Sequence, residues 1–143
     1  MIWIITLLLS VLIYIFAKFE SRSDNKEIRE NRSKDGIDHF SSTIWRFFGG
    51  VVTLVLLIAG SYIRDFYHPL AIIPVITHLS GLYDIVFTLS LNARRKWPTF
   101  YIGYTSIYDK FWQWLTPTDT GEKRMRFNIA IILISLVSLL YLK

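Results

Sequence analysis

The sequence points to an all-α polytopic membrane protein, a helical bundle of four spans with an interfacial aromatic segment, and three observations lead there. Of its 143 residues 52% are apolar and only 19% are charged, below the ~25% of an ordinary soluble domain, and the mean hydropathy is +0.38. The apolar residues are gathered into four stretches, 2–17, 47–63, 70–91 and 127–142, none of which contains a Lys or Arg. Each approaches the ~20 residues an α-helix needs to cross a ~30 Å hydrocarbon core, and backbone groups in lipid must be satisfied within the segment. The 16 basic residues are equally uneven: seven lie in 18–46, seven in 94–126, and only Arg64 and Lys143 lie elsewhere. Fourteen therefore fall on alternate connections, which by the positive-inside tendency places connectors 18–46 and 92–126 in the cytoplasm and both termini outside it.

The first stretch, Met1-Ile2-Trp3-Ile4-Ile5 onward, has no basic leading region and no small-residue cleavage pattern after it, so it reads as a retained helix and not as a secretory signal. The connector after it mixes seven basic and six acidic residues. Its Glu20–Asp38 run reads as a solvated continuation of the first helix, with Gly36 as its stop, or else as a disordered segment. Ser41, Ser42 and Thr43 are capping residues for the second helix, where Trp45 sits at interface depth. In that second span Gly49, Thr53 and Gly60 form a small-residue face suited to close helix packing. The corresponding faces are Trp3, Thr6, Ser10, Tyr14 and Ala17 on the first span, and Asn128, Ser135 and Ser138 on the fourth.

The third span carries the most polar face. At 100° per residue Pro74, Thr77, His78, Gly81, Asp84, Thr88 and Asn92 share one stripe, which predicts a helix in the bundle interior. An ionised Asp at membrane depth is costly, so Asp84 needs a partner. Arg46, at the cytoplasmic mouth of the second span, is the partner chosen from sequence. His78 and Asp84 are about 9 Å apart along the axis, too far for a direct pair, and Pro74 is a candidate kink.

Between the third and fourth spans, 97–114 holds eight aromatic residues at spacings of three and four, the pattern of a segment lying among headgroups. Ser106-x-x-Asp109 can start a short helix ending before Pro117. Asp119-x-x-Glu122 can start the last helix, leaving Arg124 and Arg126 among the headgroups.

Chemistry is sparsely encoded. The chain has no cysteine, and His39, His68 and His78 have no ligand spacing, so no metal and no cofactor are expected. Nucleotide and hydrolase motifs are missing as well, so no catalytic residue is assigned. The net charge of +5 is assigned to the lipid-facing connectors and not to nucleic acid. The partners expected are the bilayer itself, its anionic headgroups, and a second copy or another membrane protein. His39, Arg46, Asn92, Arg94, Arg95, Tyr101 and Asp109 are the candidate headgroup contacts at the cytoplasmic mouth.

Lys34-Asp35-Gly36-Ile37-Asp38-His39, Arg46, Tyr83-Asp84, Leu91-Asn92 with Arg94, and Tyr101-Ile102-Gly103-Tyr104-Thr105-Ser106-Ile107-Tyr108-Asp109-Lys110 together resemble small, uncharacterised membrane proteins of Bacteroidetes and their bacteriophages. The resemblance covers 34–110. It implies a bacterial inner membrane, or the host membrane of a phage, and singles out His39, Arg46, Asp84, Asn92, Arg94, Tyr101, Gly103 and Asp109, but implies no activity. Three readings of function stand at this point. The first is a non-enzymatic structural or assembly component. The second is a small pore-former or proton path of holin type, using the polar face of the third span with His78, Asp84, Thr77 and Thr88. The third is a lipid-modifying enzyme at the cytoplasmic face, with Asp109 or His39 as acid or base.

Overall fold

The structure, a computed structural model, describes residues 2–31, 49–50, 53–55, 57–58, 69–102, 107–117 and 120–141. It is all-α over these residues. Helix α1 spans Ile2–Asn31, one 3-10 turn at Pro69–Ala71 leads into α2 (Ile72–Arg95), and α3 (Ile107–Leu115) and α4 (Thr120–Tyr141) follow. Three of these helices, α1 over Ile2–Lys26, α2 and α4, are long and apolar enough to cross a membrane. Of the second apolar stretch only a few residues are described, all helical, so the predicted fourth span lies largely outside the described residues. Leu57 within it is buried in the same apolar cluster as Ile2, Ala71, Val75, Leu79 and Leu139.

Helix α2 occupies the middle, with α1 on one side and α4 on the other. Its direction relative to each follows from side-chain contacts. Ser10 meets His78, with 3.0 Å between Oγ and Nε2. Further along both helices the Phe16 and Tyr83 rings lie 6.2 Å apart, and the Tyr83 hydroxyl donates to the Glu20 carboxylate. Residue numbers rise together, so α1 and α2 are parallel. Against α4 they run in opposition: Gly81 faces Asn128 and Ile132, whereas Asp84 reaches back to Arg124. A Cβ on Gly81 would stand 3.1 Å from Ile132 Cγ1 and 3.2 Å from the Asn128 carbonyl oxygen, so the α2–α4 crossing is as close as the lack of a side chain permits. At Gly49 a Cβ would meet nothing within 4 Å; that glycine is exposed, and Thr53 returns its hydroxyl to the Gly49 carbonyl. Gly60 lies outside the described residues.

The distribution of polarity is inverted relative to a soluble fold. Among the described residues the buried set contains Thr6, His78, Asp84, Asn92, Arg124, Asn128 and Ser135, while Leu7, Leu8, Leu12, Ile15, Leu133 and Ile134 are exposed. Each such leucine or isoleucine left exposed to water would forgo ~1.5–3 kcal/mol of burial free energy. In hydrocarbon that penalty vanishes, and polar groups gain by meeting one another inside. This inversion identifies an integral membrane protein with three candidate spans.

Local sequence explains the helix ends. Pro74 is the third residue of α2, where a backbone N–H lacks an intrahelical acceptor anyway, so it marks the start of the helix and kinks nothing. α1 continues to Asn31 as the mixed-charge run suggests, and Gly36 lies outside the described residues. At the other end of α2 the Trp97 N–H donates to the Asn92 carbonyl (3.0 Å) and the Lys96 N–H to that of Ala93 (3.3 Å). This is a Schellman closure with Pro98 just beyond. Lys96 holds the left-handed position at φ 56°, which disfavours any residue with a Cβ. Lys96→Gly is therefore expected to stabilise the protein by about 0.5–1 kcal/mol, read as a rise in thermal midpoint in detergent; an unchanged or lower midpoint would contradict the closure.

Candidate functional site

The densest polar cluster lies where α2, α3 and α4 meet. Asp84 sits mid-way along α2 on the face turned to α4, and is 9% exposed. The Arg124 guanidinium donates to it twice, from Nε at 2.8 Å and from Nη2 to the other carboxylate oxygen. This bidentate fork is the strongest geometry available to an arginine and a carboxylate. Asn128, one turn further along α4, donates its amide to the same carboxylate. The third side of the fork faces outward, where Nη1 donates to Asp109 Oδ1 of α3 at 2.8 Å. One guanidinium thus joins three helices, with the Arg124, Asp84 and Asp109 side chains 8%, 13% and 19% exposed.

The loop between α2 and α4 folds onto this cluster. Asn92 donates its amide to the carbonyls of Thr99 (3.0 Å) and Tyr101 (2.9 Å), pinning 97–102 against the end of α2. Phe100 then lies so close to Gly121 that a Cβ there would overlap the Phe100 carbonyl. Between loop and helices remains a cavity of about 10 Å³, lined by Asp84, Thr88, Phe100, Ile102, Arg124 and Asn128 among others. That is room for about one water molecule. Helix α3 adds an apolar anchor: Trp112 is 4% exposed and meets Phe127 edge to face, ring centroids 5.1 Å apart. Its other face leaves Phe111, Trp114 and Leu115 exposed, and the first two join Trp97 and Phe100 as exposed aromatic side chains at this end of the bundle.

Comparison with protein-family models, curated proteins and solved structures finds no match. The residues themselves must carry the reading.

The structure places many of the residues singled out from the sequence. Arg46, the partner chosen for Asp84, lies outside the described residues, as do His39 and Gly103. Among the described residues the guanidinium on Asp84 belongs to Arg124, which is buried and engaged by two carboxylates. Arg126, by contrast, is exposed and pairs with Glu122 at 3.2 Å. His78 and Asp84 face different neighbours, His78 toward Ser10 of α1 and Asp84 toward α4. Thr77 donates to the Ile73 carbonyl of its own helix at 2.8 Å, and Thr88 is half-buried at the cavity. Asn92 is occupied by loop carbonyls, and Asp109 by Arg124. Among the described residues no group of three or more His, Asp or Glu is placed to hold a metal ion.

Arg124 was recoverable from the sequence. Asn128 and Ser135 mark the interior face of α4, and Arg124, one turn before Asn128, is the next position on that face. Its place before the apolar run hid it.

Proposed function

We propose that this chain is a four-crossing integral membrane protein acting as a non-enzymatic structural or assembly component, with both termini outside the cytoplasm. The observation that carries the crossing number is the parallel packing of α1 and α2. Two spans that run in the same direction must be joined by a segment that returns across the bilayer. The stretch 47–63 is the apolar segment available for that return, and its buried Leu57 supports the assignment. Charge placement agrees: Lys18, Arg22 and Lys26 of α1 belong to the same end of the bundle as Arg94, Arg95, Lys96, Lys123 and Arg126, the end the positive-inside tendency assigns to the cytoplasm.

The structural role rests on how the buried polar groups are used. Asp84, Arg124, Asp109 and Asn128 engage one another, and His78 engages Ser10, so they hold helices in register. The resemblance to small membrane proteins of Bacteroidetes and their phages is consistent with an inner or host membrane as the location.

Because the chain has no cysteine, single introduced cysteines report topology directly. In intact spheroplasts Arg64→Cys and Lys143→Cys are expected to react with an impermeant maleimide, whereas Asp38→Cys and Lys123→Cys react only after lysis. Equal protection of Asp38→Cys and Arg64→Cys would place both on one side and end the four-crossing reading.

A further inference from the structure

We propose that the cytoplasmic end of α2 is a binding site for the phosphate of an anionic lipid headgroup, formed by Arg94 and Arg95 with Trp97 as its wall. The site rests on the membrane reading of the chain and adds a ligand to it.

The first observation is the state of the two guanidinium groups. Arg94 Nε, Arg95 Nε and Arg95 Nη2 are shielded from solvent, yet find no hydrogen-bond acceptor among the described residues. Both side chains are half-buried, and Lys96 follows directly, so three cations stand in succession. Asp24 of α1 attracts Arg95 electrostatically without accepting a hydrogen bond from these nitrogens. The contrast with two other arginines is sharp: Arg124 has two carboxylates and Arg126 has Glu122. Shielded donors on a charged group are costly unless they meet an acceptor, and the acceptor that matches a planar fork is a carboxylate or phosphate.

The second observation is position. Counting 1.5 Å per residue from Leu70, a ~30 Å hydrocarbon core ends near Ser90. Arg94 and Arg95 then stand one turn beyond, among the headgroups, whereas Asp84 lies about 9 Å inside. The aromatic side chains agree with that depth. Arg95 lies over the Trp97 ring at 4.6 Å, Trp97 is 39% exposed, and its ring is 4.3 Å from that of Tyr101. Tryptophan and tyrosine favour this layer, and stacking on indole engages the face of a guanidinium while leaving its in-plane N–H groups to pair with an anion.

The third observation is rigidity. The closure of α2 and the two hydrogen bonds from Asn92 to Thr99 and Tyr101 fix Trp97 and Tyr101 relative to the arginines. The wall is thus fixed, and the shielded nitrogens reach a phosphate by rotation of the two arginine side chains beside it.

The test uses the full-length protein in detergent, titrated with short-chain phosphatidylglycerol or phosphatidylcholine and read by native mass spectrometry. Phosphatidylglycerol is expected to be retained with at least about tenfold preference, and the Arg94→Gln/Arg95→Gln double variant to lose about tenfold in that affinity. Lys110→Gln/Lys123→Gln, which removes equal charge from the same end, is expected to lose less than about twofold. Arg95→Lys keeps the charge but not the fork or the stack, and should fall between wild type and the double variant, which preserves the test if the double variant folds poorly. Equal losses in the two double variants would reduce the effect to bulk charge and overturn the site. Displacement of the lipid by inorganic phosphate at about 1 mM, a free energy of only about −4 kcal/mol, would assign the site to a soluble anion and overturn the lipid assignment. Neither failure would alter the cysteine-labelling result, so the two proposals fail separately.

Discussion

Arg124→Leu is expected to destabilise the protein by about 3–5 kcal/mol, the cost of leaving a buried carboxylate without its cation. Asp84 would keep only the Asn128 amide, and Asp109, at 19% side-chain exposure, would turn toward water. Asp84→Leu alone should cost a similar amount, because Arg124 then retains only the outer carboxylate. The double variant Asp84→Leu/Arg124→Leu is expected to recover most of the loss: two well-packed apolar side chains of comparable volume often match or exceed a buried ion pair. Unfolding in mixed detergent micelles, followed by circular dichroism, gives the three stabilities and the coupling between them. Additive single losses would mean that the two side chains do not interact in the folded protein.

Gly121→Ala is also expected to destabilise, and the sign is decided by two opposing magnitudes. In an unencumbered helix Ala in place of Gly stabilises by about 0.8–1 kcal/mol. Here the added methyl would occupy the space of the Phe100 carbonyl, which is backbone held by the Asn92 hydrogen bonds on either side of it. An overlap with backbone puts the cost at the upper end of the about 1–3 kcal/mol typical of overpacking, so a net destabilisation of about 2 kcal/mol is expected after the propensity gain is subtracted. The loop should also be released: Trp97 and Tyr101 emission would shift, and amide exchange over 97–102 would accelerate. A stabilised Gly121→Ala would mean that the loop does not lie on α4. Because the loop carries Trp97, the wall of the proposed headgroup site, the same variant would weaken lipid binding.

Much of this architecture was legible from pattern alone. Hydrophobic length located α1, α2 and α4; the Ser106-x-x-Asp109 pattern located α3, which begins at Ile107, and Asp119-x-x-Glu122 located the start of α4 at Thr120. The polar stripe of the third span placed α2 in the interior, where Pro74, His78, Gly81, Asp84 and Asn92 are buried. These readings succeed because capping and burial depend on residues within a few positions of one another. The identity of the ion pair was not legible in the same way. Arg46 and Arg124 each stand in sequence beside the end of an apolar stretch, and which arginine meets Asp84 depends on which helix lies against α2 and in what register.

Helical content, residence in a bilayer and the inward-turned face of α2 can be read from the chain, because hydrophobic length, helical period and charge segregation act locally. On α1 and α4 the expected faces hold only in part, since Thr6, Ala17, Asn128 and Ser135 are buried but Tyr14 is 48% exposed and the Ser138 hydroxyl returns to its own helix in an exposed hydrogen bond. Folding in three dimensions was needed to establish that Gly81 lets α4 approach, and that Arg124 therefore reaches Asp84 while also holding Asp109. The difference is one of range: a guanidinium selects its carboxylate within about 3 Å, and that distance is set by the packing of two residues 40 positions apart in the chain.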